Sequence, residues 1–281
     1  VIDKTMQNSI HSTTQYIKAD HHRYAYRVIG EGRPVLFLQR FRGTMDDWDP
    51  AFVDRVAQHN KVYLFDNVGI GLTDGNTPST ITAIADDAVQ FAKAIGLTKF
   101  NVLGWSLGGI VAQVLTLRHQ ELVDRLILVG TGPAASKETV YPTQRFLEIA
   151  RKEVNTEDDH QVLFFTEDNK GWQHTRDSLA RISRRGDLIP ATKTENWMSQ
   201  SLAMRDFYSS PQDYFNQLKN INVPTLVSGA RYDIAFPMVN SYLLAREIVN
   251  STLLIYPEAG HAFHHQLYDT FGDVVNGFLG R

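Results

Sequence analysis

Phe100-Asn101-Val102-Leu103-Gly104-Trp105-Ser106-Leu107-Gly108-Gly109 is the stretch that decides how this chain is read. Phe100 to Leu103 is a short apolar run of strand length, and Leu107, Ile110, Val111, Val114 and Leu115 then recur with a helical period. Ser106 therefore stands at a corner between a strand and a helix. A tight corner of this kind leaves no room for side chains two positions before and after it, and Gly104 and Gly108 supply that room. The turn lifts the serine hydroxyl above a sheet edge, and the helix that follows offers free N–H groups and the positive end of its dipole to a developing oxyanion. The five-residue pattern is common by chance, so its placement between strand and helix is what makes Ser106 a candidate nucleophile.

Outward from this corner, strand and helix patterns alternate. Thr14 to Ile17 and Arg23 to Ile29 read as an opening hairpin, followed by the turn Gly30-Glu31-Gly32 and an apolar run from Val35 to Leu38. Further apolar runs recur at Val62 to Phe65, Leu126 to Val129, Thr225 to Val227 and Leu253 to Tyr256. Continuous rather than alternating runs suit strands buried on both faces. Ile81, Ile84, Ala88, Phe91 and Ile95 form a helical stripe ending at Gly96, and Leu267, Phe271, Val274, Val275 and Phe278 form another near the end. The alternation predicts an α/β fold with a mostly parallel, doubly wound, eight-stranded sheet.

One interval breaks the rhythm. The chain from Thr131 to Thr225 is several times longer than a single crossover helix requires, and it is polar and helix-like with Phe164, Phe165, Trp172, Trp197, Phe207 and Tyr208 interspersed. Residues 133–209 are expected to form a helical cap inserted into a sheet domain made of residues 1–132 and 210–281. Pro211 is expected to open the helix that returns to the sheet, ending in Leu218 to Ile221.

A serine hydroxyl is a poor nucleophile at neutral pH; it needs a histidine to take its proton and a carboxylate to orient that histidine. Each should follow a later strand. Asp233 does so in the loop after Pro224 to Gly229, and His261 does so in Glu258-Ala259-Gly260-His261, so the order along the chain is Ser, Asp, His. With these three motifs in order, the chain resembles the α/β-hydrolase superfamily, in its cap-bearing serine esterase and lactonase branch, over about Arg23 to Leu279. Asp66-Asn67-Val68-Gly69-Ile70-Gly71 is similar to the Asp-x-x-Gly-x-Gly turn after the fourth strand of that family.

The resemblance implies an oxyanion hole built from the N–H of Leu107 and that of a residue in the loop after the third strand. There the family usually carries His-Gly-x, whereas this chain has Gln39-Arg40-Phe41, which makes Phe41 N–H the aligned donor. Either the loop holds that N–H correctly without a glycine, or the hole is remodelled and Arg40 contributes its side chain. Arg40 and Trp105 are candidates to contact substrate, with anchoring of its own loop the leading alternative for Arg40. The reaction implied is hydrolysis of a carboxylic ester or lactone through an acyl-enzyme, without cofactor or metal. Serine rather than aspartate at position 106 argues against a dehalogenase or epoxide hydrolase. Hydrolysis of a C–C bond, perhydrolysis, and a slow-turnover ligand receptor on the same scaffold remain open alternatives.

Composition narrows the partners. Hydrophobic residues make up 43% of the 281 and charged residues 21%, ordinary values for a chain with a packed core, and a net charge of −3 attracts neither nucleic acid nor anionic lipid over distance. With no cysteine there is neither disulfide nor thiolate chemistry. No apolar run is long enough to span a membrane, and Val1-Ile2-Asp3-Lys4-Thr5 lacks the apolar core of a leader, so the expected setting is the cytoplasm and the expected partner a small-molecule substrate. Arg181, Arg184 and Arg185 are expected to form a solvated face. Asp46, Asp47 and Asp49 are expected to begin a helix. His21, His22, His160 and His174 are expected on the surface or in loops, and His261 with His265 has the i, i+4 spacing of a zinc pair but no His-Glu-x-x-His pattern.

Overall fold

In a computed structural model, which describes residues 8–280, the apolar runs pair into one eight-stranded sheet. Val1 to Thr5, read above for a leader, lies outside the described residues. In chain order the strands are β1 (Gln15–Ala19), β2 (His22–Ile29), β3 (Arg33–Leu38), β4 (Asn60–Phe65), β5 (Phe100–Trp105), β6 (Val123–Val129), β7 (Thr225–Ala230) and β8 (Ser251–Tyr256). The helices are α1 (Pro50–Ala57), α2 (Ile81–Ala94), α3 (Leu107–Arg118), α4 (Gln144–Ala150), α5 (Glu157–Phe164), α6 (Asn169–Ile182), α7 (Thr194–Ser209), α8 (Tyr214–Gln217), α9 (Val239–Glu247), α10 (Phe263–Gln266) and α11 (Tyr268–Leu279).

Across the sheet the order is β1-β2-β4-β3-β5-β6-β7-β8; the β1–β2 and β2–β4 pairs are antiparallel and the rest parallel. The chain leaves β3 toward one side, to β4, and then returns to β3's other side as β5. At such a reversal the loops beyond the carboxyl ends of the two strands diverge and leave a crevice. The register brings these ends level, with Leu38 opposite Gly104, Gly104 opposite Leu128 and Val129 opposite Ser228. The loops after β3, β5, β6 and β7 therefore open on the same edge.

Both faces of the central strands are covered, which is why these strands are apolar without alternation, whereas at the edges β1 and β8 stay partly exposed. Leu36, Leu38 and Val102 pack with α2 and α3 residues such as Phe91, Ile110 and Val114 on one face. Val35, Phe37, Leu103 and Trp105 pack with Phe52 and Val53 of α1 and Phe271 and Val275 of α11 on the other. Burying each such large side chain contributes about 1.5–3 kcal/mol, so the two layers fix the sheet on which the loops stand.

The long interval between β6 and β7 is helical, carrying α4 to α8. Pro211 does not open a helix: Asp213, in a left-handed conformation at φ 50°, caps α8 from position 214 onward. The arginine cluster is not a solvated face either. Only Arg184 is exposed. Arg181 grips the fully buried carboxylate of Asp49, its Nη2 2.6 Å from Oδ2 with Ser178 Oγ donating to the same oxygen at 2.7 Å, and so ties α6 to the start of α1. Arg185 is buried and donates to the carbonyls of Ser9 and Ser12. Of the three aspartates, Asp47 closes a capping box with Thr44 and Asp49 caps α1, as carboxylates at helix starts do. Asp46 instead pairs with buried Arg27 at 2.6 Å, so its charge balances a cation rather than a helix end. Among the described residues no helix is long and apolar enough to cross a membrane.

Candidate active site

Ser106 follows β5 directly and has φ 60° and ψ −121°, a conformation unfavourable for any side-chain-bearing residue. The surroundings leave it no alternative. Its N–H donates to Val129 O at 3.0 Å, and its carbonyl accepts from Gly109 N–H at 2.9 Å and from Thr131 Oγ1 at 2.8 Å. A Cβ on Gly104 would collide with the carbonyl of Gly108, and one on Gly108 with the carbonyl of Leu38. The two glycines thus let the elbow press against the end of β3, which is the physical content of their spacing around the serine.

His261 is buried, and its Nδ1 lies 2.8 Å from Asp233 Oδ2. The other carboxylate oxygen of Asp233 accepts N–H groups from Ala235 and Phe236, each at 2.8 Å, so both oxygens are occupied and the carboxylate cannot swing. The imidazole lies near-parallel to Phe164 and Phe236, with ring centroids 6.1 and 5.9 Å away. Gly130, in the left-handed region at φ 52°, sits against the His261–Asp233 pair; a Cβ there would come within 3.3 Å of Nδ1. Reading the motifs overlooks this glycine, although a glycine directly after an apolar strand is a visible signal. Ser106 and His261 both line a cavity of about 400 Å³. Among the described residues no hydrogen bond joins Ser106 Oγ to His261; such contacts commonly tighten when substrate binds.

On the other side of the cavity runs the loop after β3. Gln39 Oε1 accepts Arg40 N–H at 2.8 Å, and its Nε2 donates to Thr44 O at 2.8 Å. Arg42 N–H donates to Gln200 Oε1 at 2.8 Å. Between these engaged amides, Phe41 N–H has no partner among the described residues, and neither has Leu107 N–H at the start of α3. Arg40 both anchors and lines: its Nη1 donates to Phe41 O at 2.9 Å, its Nη2 is 3.3 Å from Asp47 Oδ1, and its guanidinium lies 4.7 Å from the Phe164 ring centroid in the cavity wall.

Trp105 does not line the cavity. It is buried beneath the site, its Nε1 donating to His261 O at 3.1 Å. The aromatics between β6 and β7 divide similarly: Phe164 lines the cavity, whereas Phe165, Trp197 and Phe207 are buried in packing. Phe146 and Leu163 are lining residues that no motif announces. His160, expected on the surface or in a loop, lies in α5 and also lines the cavity; burial first, and the nearby Arg40 cation second, push its pKa down to about 3, so it is neutral. Of the i, i+4 histidine pair, Nδ1 of His261 is held by Asp233, and Nε2 of His265 accepts Asp49 N–H at 3.3 Å. Asp66, whose pKa burial pushes up to about 7, accepts the N–H groups of Met45 and Leu72 and holds the turn beside the β3 loop.

A family model described as alpha/beta hydrolase fold matches residues 33–266. This chain belongs to that family. A curated relative from Agrobacterium fabrum, named "Putative carbamate hydrolase RutD", is 27% identical over 256 residues, spanning 90% of this chain and 95% of its own length. Among solved structures, an alpha/beta hydrolase fold protein from Chitinophaga pinensis is similar with a TM-score of 0.88 at 27% identity, over 95% of this chain and 97% of that one. The enol-lactonase from Burkholderia xenovorans LB400 shares the fold with a TM-score of 0.77 at 21% identity, over 95% of this chain and all of its own.

Proposed function

We propose that this α/β hydrolase is a serine enzyme that cleaves a carboxylic ester or lactone through an acyl-enzyme on Ser106. The observation that carries the reading is that a strained Ser106, the buried His261 held by Asp233, and Phe41 border one cavity, while the N–H groups of Phe41 and of Leu107, next to Ser106, have no partner among the described residues. Ser106 Oγ attacks the acyl carbon while His261 Nε2 takes its proton. Asp233 holds the imidazole in the required tautomer and stabilises it when charged, and the Phe41 and Leu107 N–H groups bind the tetrahedral oxyanion. Collapse of the intermediate expels the alkoxide, which takes the proton from His261. His261 then removes a proton from water, whose oxygen attacks the acyl carbon and releases the acid, and Ser106 regains its proton. No cofactor enters these steps.

In this reading residues 133–209 act as a cap over a core of residues 1–132 and 210–281, as in the cap-bearing branch of the superfamily. Phe146, Leu163, Phe164, Leu179 and Ile182 make much of the cavity wall apolar, which favours a hydrophobic acyl or ring substrate, and the cytoplasm is the setting proposed for the enzyme. The name of the Agrobacterium relative makes a carbamate the main competing substrate, since the same attack applies to it. A panel of chromogenic aryl esters of increasing acyl length, with an aryl carbamate and a lactone, assayed on wild type and Ser106→Ala, tests the proposal. Ester or lactone turnover that vanishes in the variant supports it; preference for the carbamate reassigns the substrate. Tight ligand binding with negligible turnover of all three would instead favour a receptor.

A further inference from the structure

The loop that carries Phe41 is closed at its base by Gln39, but its outer half is held by the helical insert. Every polar group of Arg42's backbone is engaged there: its N–H donates to Gln200 Oε1 of α7 at 2.8 Å, and its carbonyl accepts from Thr192 Oγ1 at 2.9 Å. Its guanidinium donates to the carbonyls of Ala150, Lys152 and Glu153 at 3.0, 2.6 and 2.9 Å, at the C-terminal end of α4. A helix end leaves carbonyls without intrahelical partners and carries a partial negative charge, and the planar fork of an arginine can satisfy several at once. The same guanidinium lies 4.4 Å from the Trp197 ring centroid, and Trp197 meets the Phe41 ring edge-on at 5.9 Å. Arg42 also has φ 66°, a left-handed conformation that a non-glycine residue keeps only where its surroundings over-determine it.

We propose that Arg42 is a positioning residue that couples the seating of the helical insert to completion of the oxyanion hole. With α4 and α7 in place, Arg42 is clamped on side chain and backbone alike, and the preceding N–H, that of Phe41, is aimed into the cavity. With the insert displaced, the clamp and the aim are lost together, so the serine is fully reactive only under a closed cavity. The inference rests on the serine-hydrolase reading above.

The test compares wild type, Arg42→Ala, Arg42→Gly, Arg42→Lys, Thr192→Val and Ser106→Ala as full chains. Misaiming one oxyanion donor is expected to lower kcat of Arg42→Ala by about 10- to 100-fold with KM changed by less than about threefold. Arg42→Gly, which is at ease with the backbone angle but lacks the clamp, should lose as much, and Arg42→Lys, reaching fewer carbonyls, should fall between. An aryl trifluoromethyl ketone forms a tetrahedral oxyanion adduct on the serine. Its affinity should fall in step with kcat/KM, while binding of the unfluorinated ketone stays unchanged. Should Arg42→Ala fail to fold, Thr192→Val removes only the bond to the Arg42 carbonyl and is expected to lower kcat severalfold. A wild-type kcat in Arg42→Gly, a KM effect without a kcat effect, equal weakening of both ketones, or an unchanged kcat in Thr192→Val overturns the inference while Ser106-dependent turnover stands. A wild type with no Ser106-dependent turnover, and with Ser106 unlabelled by a fluorophosphonate, overturns the serine-hydrolase reading and this inference with it.

Discussion

The two sides of the cavity are built differently. Ser106, Asp233 and His261 stand on loops that leave β5, β7 and β8, and their geometry is set mainly by the sheet and its neighbours: Val129, Thr131, Gly130, Ala235 and Phe236. The insert touches this side through the Phe164 and Phe146 rings packed against the His261 imidazole, and through Ala262 N–H to Phe164 O at 2.8 Å and Thr143 N–H to Ile234 O at 3.1 Å, but among the described residues it makes no hydrogen bond to the side chains of Ser106, Asp233 or His261. The loop from Gln39 to Gly43 instead borrows its outer contacts from Gln200, Thr192, Trp197 and the end of α4. The difference teaches that reactive groups can be held by a local motif on a rigid scaffold, while the donors that stabilise the reaction's charge are held by whatever packs over them.

Breaking the self-held side should have the largest effect. Ser106→Ala removes the nucleophile and is expected to lower kcat by about 10⁴- to 10⁶-fold on any ester the wild type cleaves, read in a steady-state assay. Retention of more than a hundredth of the rate would assign the chemistry to another group. Asp233→Asn keeps the shape but supplies the wrong tautomer to His261, and about a 10⁴-fold loss in kcat is expected with little change in melting temperature. A mild loss would mean that the Asp233–His261 bond orients the ring without governing its proton.

A smaller effect sharpens the comparison on the borrowed side. Gln39→Leu leaves Arg40 N–H without its partner, at a cost of about 1–3 kcal/mol, and takes one of two donors from Thr44 C=O, which keeps the Asp47 N–H at 3.1 Å, so both stability and kcat should fall, kcat by about tenfold. Stability falling with kcat intact would show that the loop's base is irrelevant to the aim of Phe41.

The smallest effect at neutral pH lies beneath both sides. His264 is fully buried, with neither ring nitrogen partnered among the described residues, and burial holds its pKa well below the usual histidine range. Its folded-state pKa is thus below its unfolded value. The stability this contributes is fully present above pH of about 6.5 and is lost as the pH falls toward the folded pKa, with a slope of at most about 1.4 kcal/mol per pH unit. Denaturant titrations from pH 7 to 5 should show that slope in wild type and a shallower one in His264→Leu; identical slopes would place the acid sensitivity elsewhere, His265 being the nearest alternative.

What the amino-acid sequence determined by itself is the part of this protein written in short periods. Apolar runs of strand length bounded by turns read as strands, and glycines two positions either side of Ser106 answer a collision between neighbours in the chain or on the adjoining strand. The order Ser106, Asp233, His261 follows from where strands end, so fold and proposed nucleophile were legible together. The tertiary structure decided whatever depended on a partner distant in sequence. Trp105 turned out to be a support beneath His261 rather than a cavity wall, and His160 a helix residue in the cavity wall rather than a surface or loop residue. Arg181, half-buried, and Arg185, buried, became ties because carboxylates and carbonyls over a hundred positions away lie against them. The same holds for Phe41. Its N–H is available because Gln39, Gln200 and Thr192 occupy the groups around it, and two of those three lie about 150 residues further on, where no local pattern in the loop could reveal them.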